Sequence, residues 1–145
     1  MRALFDVNAV LAIFDESHPF HGQARTWWHD NQAAGWASCP LTQNGFVRIM
    51  SQPRYLQTRS SAEAIAALRT GLDQPDHEFW PDDISIVDDT IFDHGYILGP
   101  NQITDVYLLA LAKEMNGTLA TFDRAIPLAA VIGAKAEHLT VITPA

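Results

Sequence analysis

The chain has 145 residues, nine Lys and Arg against 17 Asp and Glu, one cysteine and 48% hydrophobic residues. This length fits one domain, residues 1–145, which can bury enough surface to fold without a disulfide or a structural metal. The apolar fraction excludes a disordered chain, and the lone Cys39 excludes an intrachain disulfide and a Cys-rich zinc site.

In chain order, Arg2 to Asp6 reads as a short buried strand ending in a carboxylate. Asn8 to Phe14 has helical apolar spacing, with Asn8 as the expected N-cap. His18 to Asp30 reads as a second helix and Gly35 to Ser38 as a strand. Leu41, Phe46, Ile49 and Met50 share a helical stripe that Pro53 ends. Ser60 or Ser61 caps the next helix and Gly71 stops it. Between Glu78 and Val87 two apolar clusters predict at least one strand, and Thr90 to Leu98 predicts a helix before Gly99-Pro100. Thr104 to Met115 is the clearest helix, closed by Asn116-Gly117. Thr118 to Thr121 and Leu139 to Ile142 complete the strands. Short apolar strands alternating with helices predict an α/β fold with a mainly parallel sheet.

No membrane segment is expected: the longest apolar run, Val106 to Ala112, falls far short of the roughly 18–20 residues of a spanning helix. Asp6 and Asn8 interrupt what would be the hydrophobic part of a signal peptide, so a cytoplasmic protein is expected. The net charge of −8 is unevenly placed. Residues 73–93 carry eight acids and no Lys or Arg, and the rest of the chain is neutral. Residues 40–71 hold Arg48, Arg54, Arg59 and Arg69 against Glu63 alone, so a polyanion can dock there while the acidic segment faces away.

In open α/β sheets, ligands bind outside the carboxyl ends of the strands. Asp6 follows one strand and Asp123 another, and Asp105 lies in the first turn of the strongest helix. Taken singly, each is an ordinary strand-end or helix-start acid. Together, converging carboxylates repel one another and persist best around a divalent cation, and hard oxygen donors select Mg²⁺ or Mn²⁺. Such ions serve phosphoryl displacement. Arg48 and Arg124 are candidate phosphate contacts, since a guanidinium binds phosphate bidentately.

The segments Leu4-Phe5-Asp6-Val7-Asn8, Leu41-Thr42-Gln43-Asn44-Gly45-Phe46-Val47-Arg48, Thr104-Asp105-Val106-Tyr107-Leu108-Leu109-Ala110 and Leu119-Ala120-Thr121-Phe122-Asp123-Arg124 resemble, in order, the motifs of PIN-domain ribonucleases. The resemblance is strongest to VapC toxins of bacterial toxin–antitoxin pairs. It implies a three-layer α/β/α PIN-like fold, a metal-dependent endoribonuclease acting on tRNA or rRNA, a homodimer and a VapB-like antitoxin that blocks the site. By resemblance, Asp6, Asp105 and Asp123 are the metal-binding acids, Thr121 is the hydroxyl residue before the last acid, and Asn8 is a polar residue beside the first. The family commonly has glutamate where this chain has Gln43. Gln43 keeps an acceptor oxygen without the charge, so it can still orient a water at the catalytic centre while binding a cation less well. Phe14, Phe20 and one of Trp27 and Trp28 are expected to meet the antitoxin.

Other readings stay open on the sequence. His18 and His21 have a zinc-compatible spacing without an evident third ligand. A haloacid-dehalogenase-like phosphatase would explain Asp6-Val7-Asn8, but the lysine it needs between its motifs is missing, since Lys113 and Lys135 follow both. A PIN domain that binds RNA or antitoxin without efficient cleavage, and an RNA-processing PIN nuclease with no toxin role, are the remaining alternatives.

Overall fold

Three consecutive residues buried on both sides suit the middle of a parallel sheet and little else. Ala3, Leu4 and Phe5 meet that requirement and form the central strand β1 (Ala3–Phe5). The computed structural model describes residues 1–143 and continues with β2 (Trp36–Ser38), β3 (His77–Phe79), β4 (Thr118–Thr121) and β5 (Leu139–Val141). All neighbours run parallel, in the order β3-β2-β1-β4-β5.

Helices α1 (Val7–Phe14), α2 (His21–Asn31), α3 (Pro40–Met50) and α4 (Ser61–Leu72) build one apolar layer, and α5 (Ile103–Glu114) anchors the other. Side chains of β1 alternate between them: Ala3 and Phe5 enter the first core and Leu4 the second. The expected three-layer α/β/α architecture is therefore present. Phe5 sits among Trp27, Trp28 and Trp36, with ring centroids 5.1–5.9 Å away. Among the described residues, no helix is long and apolar enough to cross a membrane.

Helix ends follow their local chemistry. Ser60 and Glu63 form a reciprocal capping box at α4. Asn116 takes the left-handed conformation past α5 at φ 58°. Gly117 then passes so close to the Arg2 carbonyl that a Cβ would stand 2.5 Å from it. The N-cap of α1 is Asp6, not Asn8; Asn8 lies inside the helix and is exposed. Asp6 prevails because it comes directly off the strand and its side chain reaches the Ala9 amide at 2.8 Å.

The largest departure from the sequence reading lies between β3 and α5. Residues 90–98 form no α-helix; only a 3-10 turn, His94–Tyr96, occurs there. Asp88 takes both the amide and the hydroxyl of Thr90, and Phe92 pairs instead with Val131 across an isolated bridge. Of the two apolar clusters between Glu78 and Val87, the first supplies the end of β3, while Ile84 and Ile86 belong to a loop and pack on the second core. With Ile91, Phe92 and Ile97 they cover α5, which is why that helix is buried from Leu108 to Ala112 rather than along one stripe.

Candidate active site

The chain turns back across the sheet between β1 and β4, since β2 and β3 lie to one side of β1 and β4 and β5 to the other. That reversal opens a crevice at the carboxyl ends of the two strands. Register does the rest. Phe5 pairs with Ala120, so the next residues, Asp6 and Thr121, come level. The Asp6 amide donates to the Ala120 carbonyl at 3.1 Å, and the Thr121 hydroxyl donates to Asp6 Oδ2 at 2.5 Å. The same Thr121 oxygen accepts from the Asp123 amide at 3.0 Å, and Asp123 Oδ1 accepts from the Ala125 amide at 2.8 Å. One hydroxyl thus ties the first acid to the turn carrying the last.

Asp105 comes from the first turn of α5, which lies on the same face of the sheet. Asp6 is buried, Asp105 half-buried and Asp123 exposed. Burial raises the Asp6 pKa from 3.8 to about 6; hydrogen bonds from Thr121 and Ala9 oppose this, and the charges of Asp105 and Asp123 add to it. Burial also raises Asp105, with a contribution from Asp123. Among the described residues, none of these three acids has a Lys, Arg or His partner. Three carboxylates that repel one another without a basic residue are unfavourable alone and suited to a hard divalent cation.

The donor set fits such an ion: carboxylate oxygens only, with no thiol or imidazole. Asp6 has one hydrogen bond to each oxygen, and a carboxylate has about four lone-pair positions, so acceptor capacity remains. As the side chains stand, no group of three or more His, Cys, Asp or Glu among the described residues is arranged to hold a metal ion.

The remaining sequence candidates fall around this core. Arg124 follows Asp123 directly and is exposed; Arg48 is exposed on α3, and neither forms an ion pair among the described residues. Gln43 lies half-buried on α3. Gly45 packs on Val7, beside Asp6, where a Cβ would meet a Val7 methyl at 2.5 Å. A residue two positions away on a helix projects from nearly the opposite side. Gln43 Nε2 accordingly donates to Ser38 Oγ at 2.9 Å, and Ser38 Oγ lies 2.8 Å from His77 Nε2. The sequence reading singled out neither Ser38 nor His77; only the pairing of β2 with β3 brings them together. His18 and His21 use a ring nitrogen locally, toward the Phe20 amide and the Ala12 carbonyl. Of the aromatic residues expected to face a partner, Trp28 is in the core and Phe20 stays exposed, its ring 5.0 Å from Phe122.

Residues 3–132 match the PIN domain family. The chain is 47% identical over 142 residues to Ribonuclease VapC44 of Mycobacterium tuberculosis, covering 98% of this chain and all of that one. This chain belongs to the VapC-type PIN-domain family. Further VapC relatives include Ribonuclease VapC38 of Mycobacterium tuberculosis, 40% identical with 86% of each chain covered, and Ribonuclease VapC39, 36% identical over 92% of this chain and 96% of that one. The PIN fold is also shared with the crystal structure of VapBC2 from Rickettsia felis bound to a DNA fragment from their promoter, at a TM-score of 0.58 and 14% identity, over 88% of this chain and 94% of that one.

Proposed function

We propose that this chain is a Mg²⁺- or Mn²⁺-dependent endoribonuclease, the toxin of a toxin–antitoxin pair, hydrolysing phosphodiester bonds in tRNA or rRNA. What supports this reading is the electrostatic coupling of buried Asp6 to Asp105 and Asp123 at the strand switch point, with no basic partner among the described residues. The relatives named ribonucleases support it.

Asp6 and Asp105 would hold the ion, with Asp123 completing the site directly or through water. Bound there, a divalent ion would supply Lewis acidity to a phosphate oxygen and lower the pKa of water toward neutral pH. Thr121 fixes the Asp6 carboxylate through one oxygen and keeps the Asp123 turn beside it. Asn8, exposed one residue beyond the α1 start, is placed to hold a water or a substrate oxygen. Arg48 and Arg124 take flanking phosphates. The protein acts as a cytoplasmic homodimer, and a VapB-like antitoxin covers the site.

The test is cleavage of total RNA by purified protein with Mn²⁺, followed by end-mapping, with Asp6→Asn and Asp105→Asn as controls. Discrete Mn²⁺-dependent ends, absent with both variants, are expected. Wild-type cleavage rates in both variants contradict the reading.

A further inference from the structure

The helix pair α3–α4 encloses a second cleft. It has a volume of about 260 Å³ and is lined by Gln43, Asn44 and Val47 from α3 and by Ile65, Arg69 and Leu72 from α4. Val47, Ile65 and Leu72 give it apolar walls, and two of its polar side chains, Asn44 and Arg69, are uncommitted among the described residues. Arg69 joins no ion pair among the described residues, and the Asn44 side chain makes no hydrogen bond there. Arg48 stands one helical turn beyond Asn44 on α3 and extends the same rim. The surrounding stretch, residues 40–71, has four arginines against one glutamate.

Gln43 is oriented from behind. Burial lowers the His77 pKa and favours its neutral form. The Ser38 hydroxyl oxygen accepts from the Gln43 amide nitrogen and lies 2.8 Å from His77 Nε2. Gln43 lines the cleft, and its Oε1 has no hydrogen-bond partner among the described residues.

We propose that the α3–α4 cleft is a nucleotide subsite of the same enzyme, binding one nucleotide of a single-stranded RNA substrate. Arg69 holds its phosphate, Val47, Ile65 and Leu72 cover its base, and Gln43 Oε1 accepts a hydrogen bond from it. Both a ribose 2′-hydroxyl and a base N–H supply that donor, and single-stranded RNA offers both. The cleft is cationic and amide-lined, whereas the acidic residues 73–93 would repel a phosphate chain. This inference rests on the ribonuclease reading.

The test measures two quantities. Steady-state cleavage of a short RNA gives KM and kcat, and anisotropy of the same labelled RNA in an Asp6→Asn background gives affinity without cleavage. Arg69→Ala and Gln43→Leu are compared with Arg25→Ala, which removes an exposed arginine of α2 outside the cleft. Asn44→Ala carries the test if Gln43→Leu folds poorly. Expected results are a roughly tenfold rise in KM and a matching loss of affinity for Arg69→Ala, with kcat within about threefold, and less than twofold change for Arg25→Ala. A single 2′-deoxy substitution that abolishes the difference between wild type and Gln43→Leu identifies the sugar as donor; a base-dependent difference identifies the base. If Asp6→Asn stops cleavage while the cleft variants match wild type in KM and affinity, the subsite is wrong and the nuclease stands. If Asp6→Asn still cuts RNA, the nuclease reading and the subsite fall together. Cleft variants that lose a protein partner but bind RNA normally also overturn the proposal.

Discussion

This chain places its acids in two very different settings. Eight lie in residues 73–93, where those that make contacts serve local geometry. Asp82 Oδ2 accepts from the Leu41 amide in the first turn of α3, and Asp88 holds the amide and hydroxyl of Thr90. Hydrogen bonds from Thr90 hold Asp88 below the usual carboxylate range. The other setting is the crevice between β1 and β4, where Asp6 and Asp105 are raised. Charge density alone would direct attention to the acidic segment. Burial, mutual repulsion and the lack of a basic partner direct it to the crevice, where ionisation of Asp6 and Asp105 works against folding.

The difference can be broken by substitution. The largest effect is expected from Asp6→Asn or Asp105→Asn: RNA cleavage falls on the order of a thousandfold, equivalent to about 4 kcal/mol of lost transition-state stabilisation. Single-turnover assays at saturating Mn²⁺ check this.

The next effect has the opposite sign. The folded state holds the Asp6 proton up to about pH 6, whereas an unperturbed carboxyl loses it near 3.8. Without metal, the folded protein therefore binds more protons than the unfolded chain between these values, and stability falls as pH rises through that window. The gap is worth about 3 kcal/mol. Asp6→Asn keeps a capping side chain for α1 and removes the ionisation. In chelator it should exceed wild type by up to that amount at pH 7.5, with the advantage disappearing by about pH 4. Urea denaturation at both pH values measures this.

In the acidic segment the same kind of change does little. Asp82→Ala removes a bond to a helix amide and should cost about 0.5–1 kcal/mol, with Mn²⁺ affinity unaltered. The smallest effect sharpens the contrast. Gln43→Glu adds an acid in α3, but its position faces Ser38 and the cleft toward α4, so Mn²⁺ affinity should stay within about twofold of wild type. A clear tightening, as the sequence reading expects for a residue beside the ion, would bring Gln43 back to the crevice.

The contrast also separates what the residue order reveals from what it hides. The strand-end positions of Asp6 and Asp123 were legible because Asp6 directly follows one short apolar strand and Asp123 stands two residues past another, and parallel strands deliver their carboxyl ends to one edge. The direction of Gln43 was not legible. It depends on which side of α3 packs against α1, and Gly45 against Val7 decides that in three dimensions. The Ser38–His77 pair was hidden because it joins residues 39 positions apart through strand pairing. Between the clusters Phe79-Trp80 and Ile84-Ser85-Ile86-Val87 the sequence could not choose, because a short apolar run looks the same whether it pairs with a sheet or lies as a loop over a helix. The first supplies the end of β3, and Ile84 and Ile86 cover α5.

The most direct test of the central claim is calorimetric titration of Mn²⁺ into chelator-treated protein at pH 7.5, comparing wild type with Asp6→Asn, Asp105→Asn and Asp82→Ala. The account predicts saturable binding by wild type, equal binding by Asp82→Ala, and at least tenfold weaker binding by each crevice variant. Equal Mn²⁺ affinity in all four proteins would contradict it.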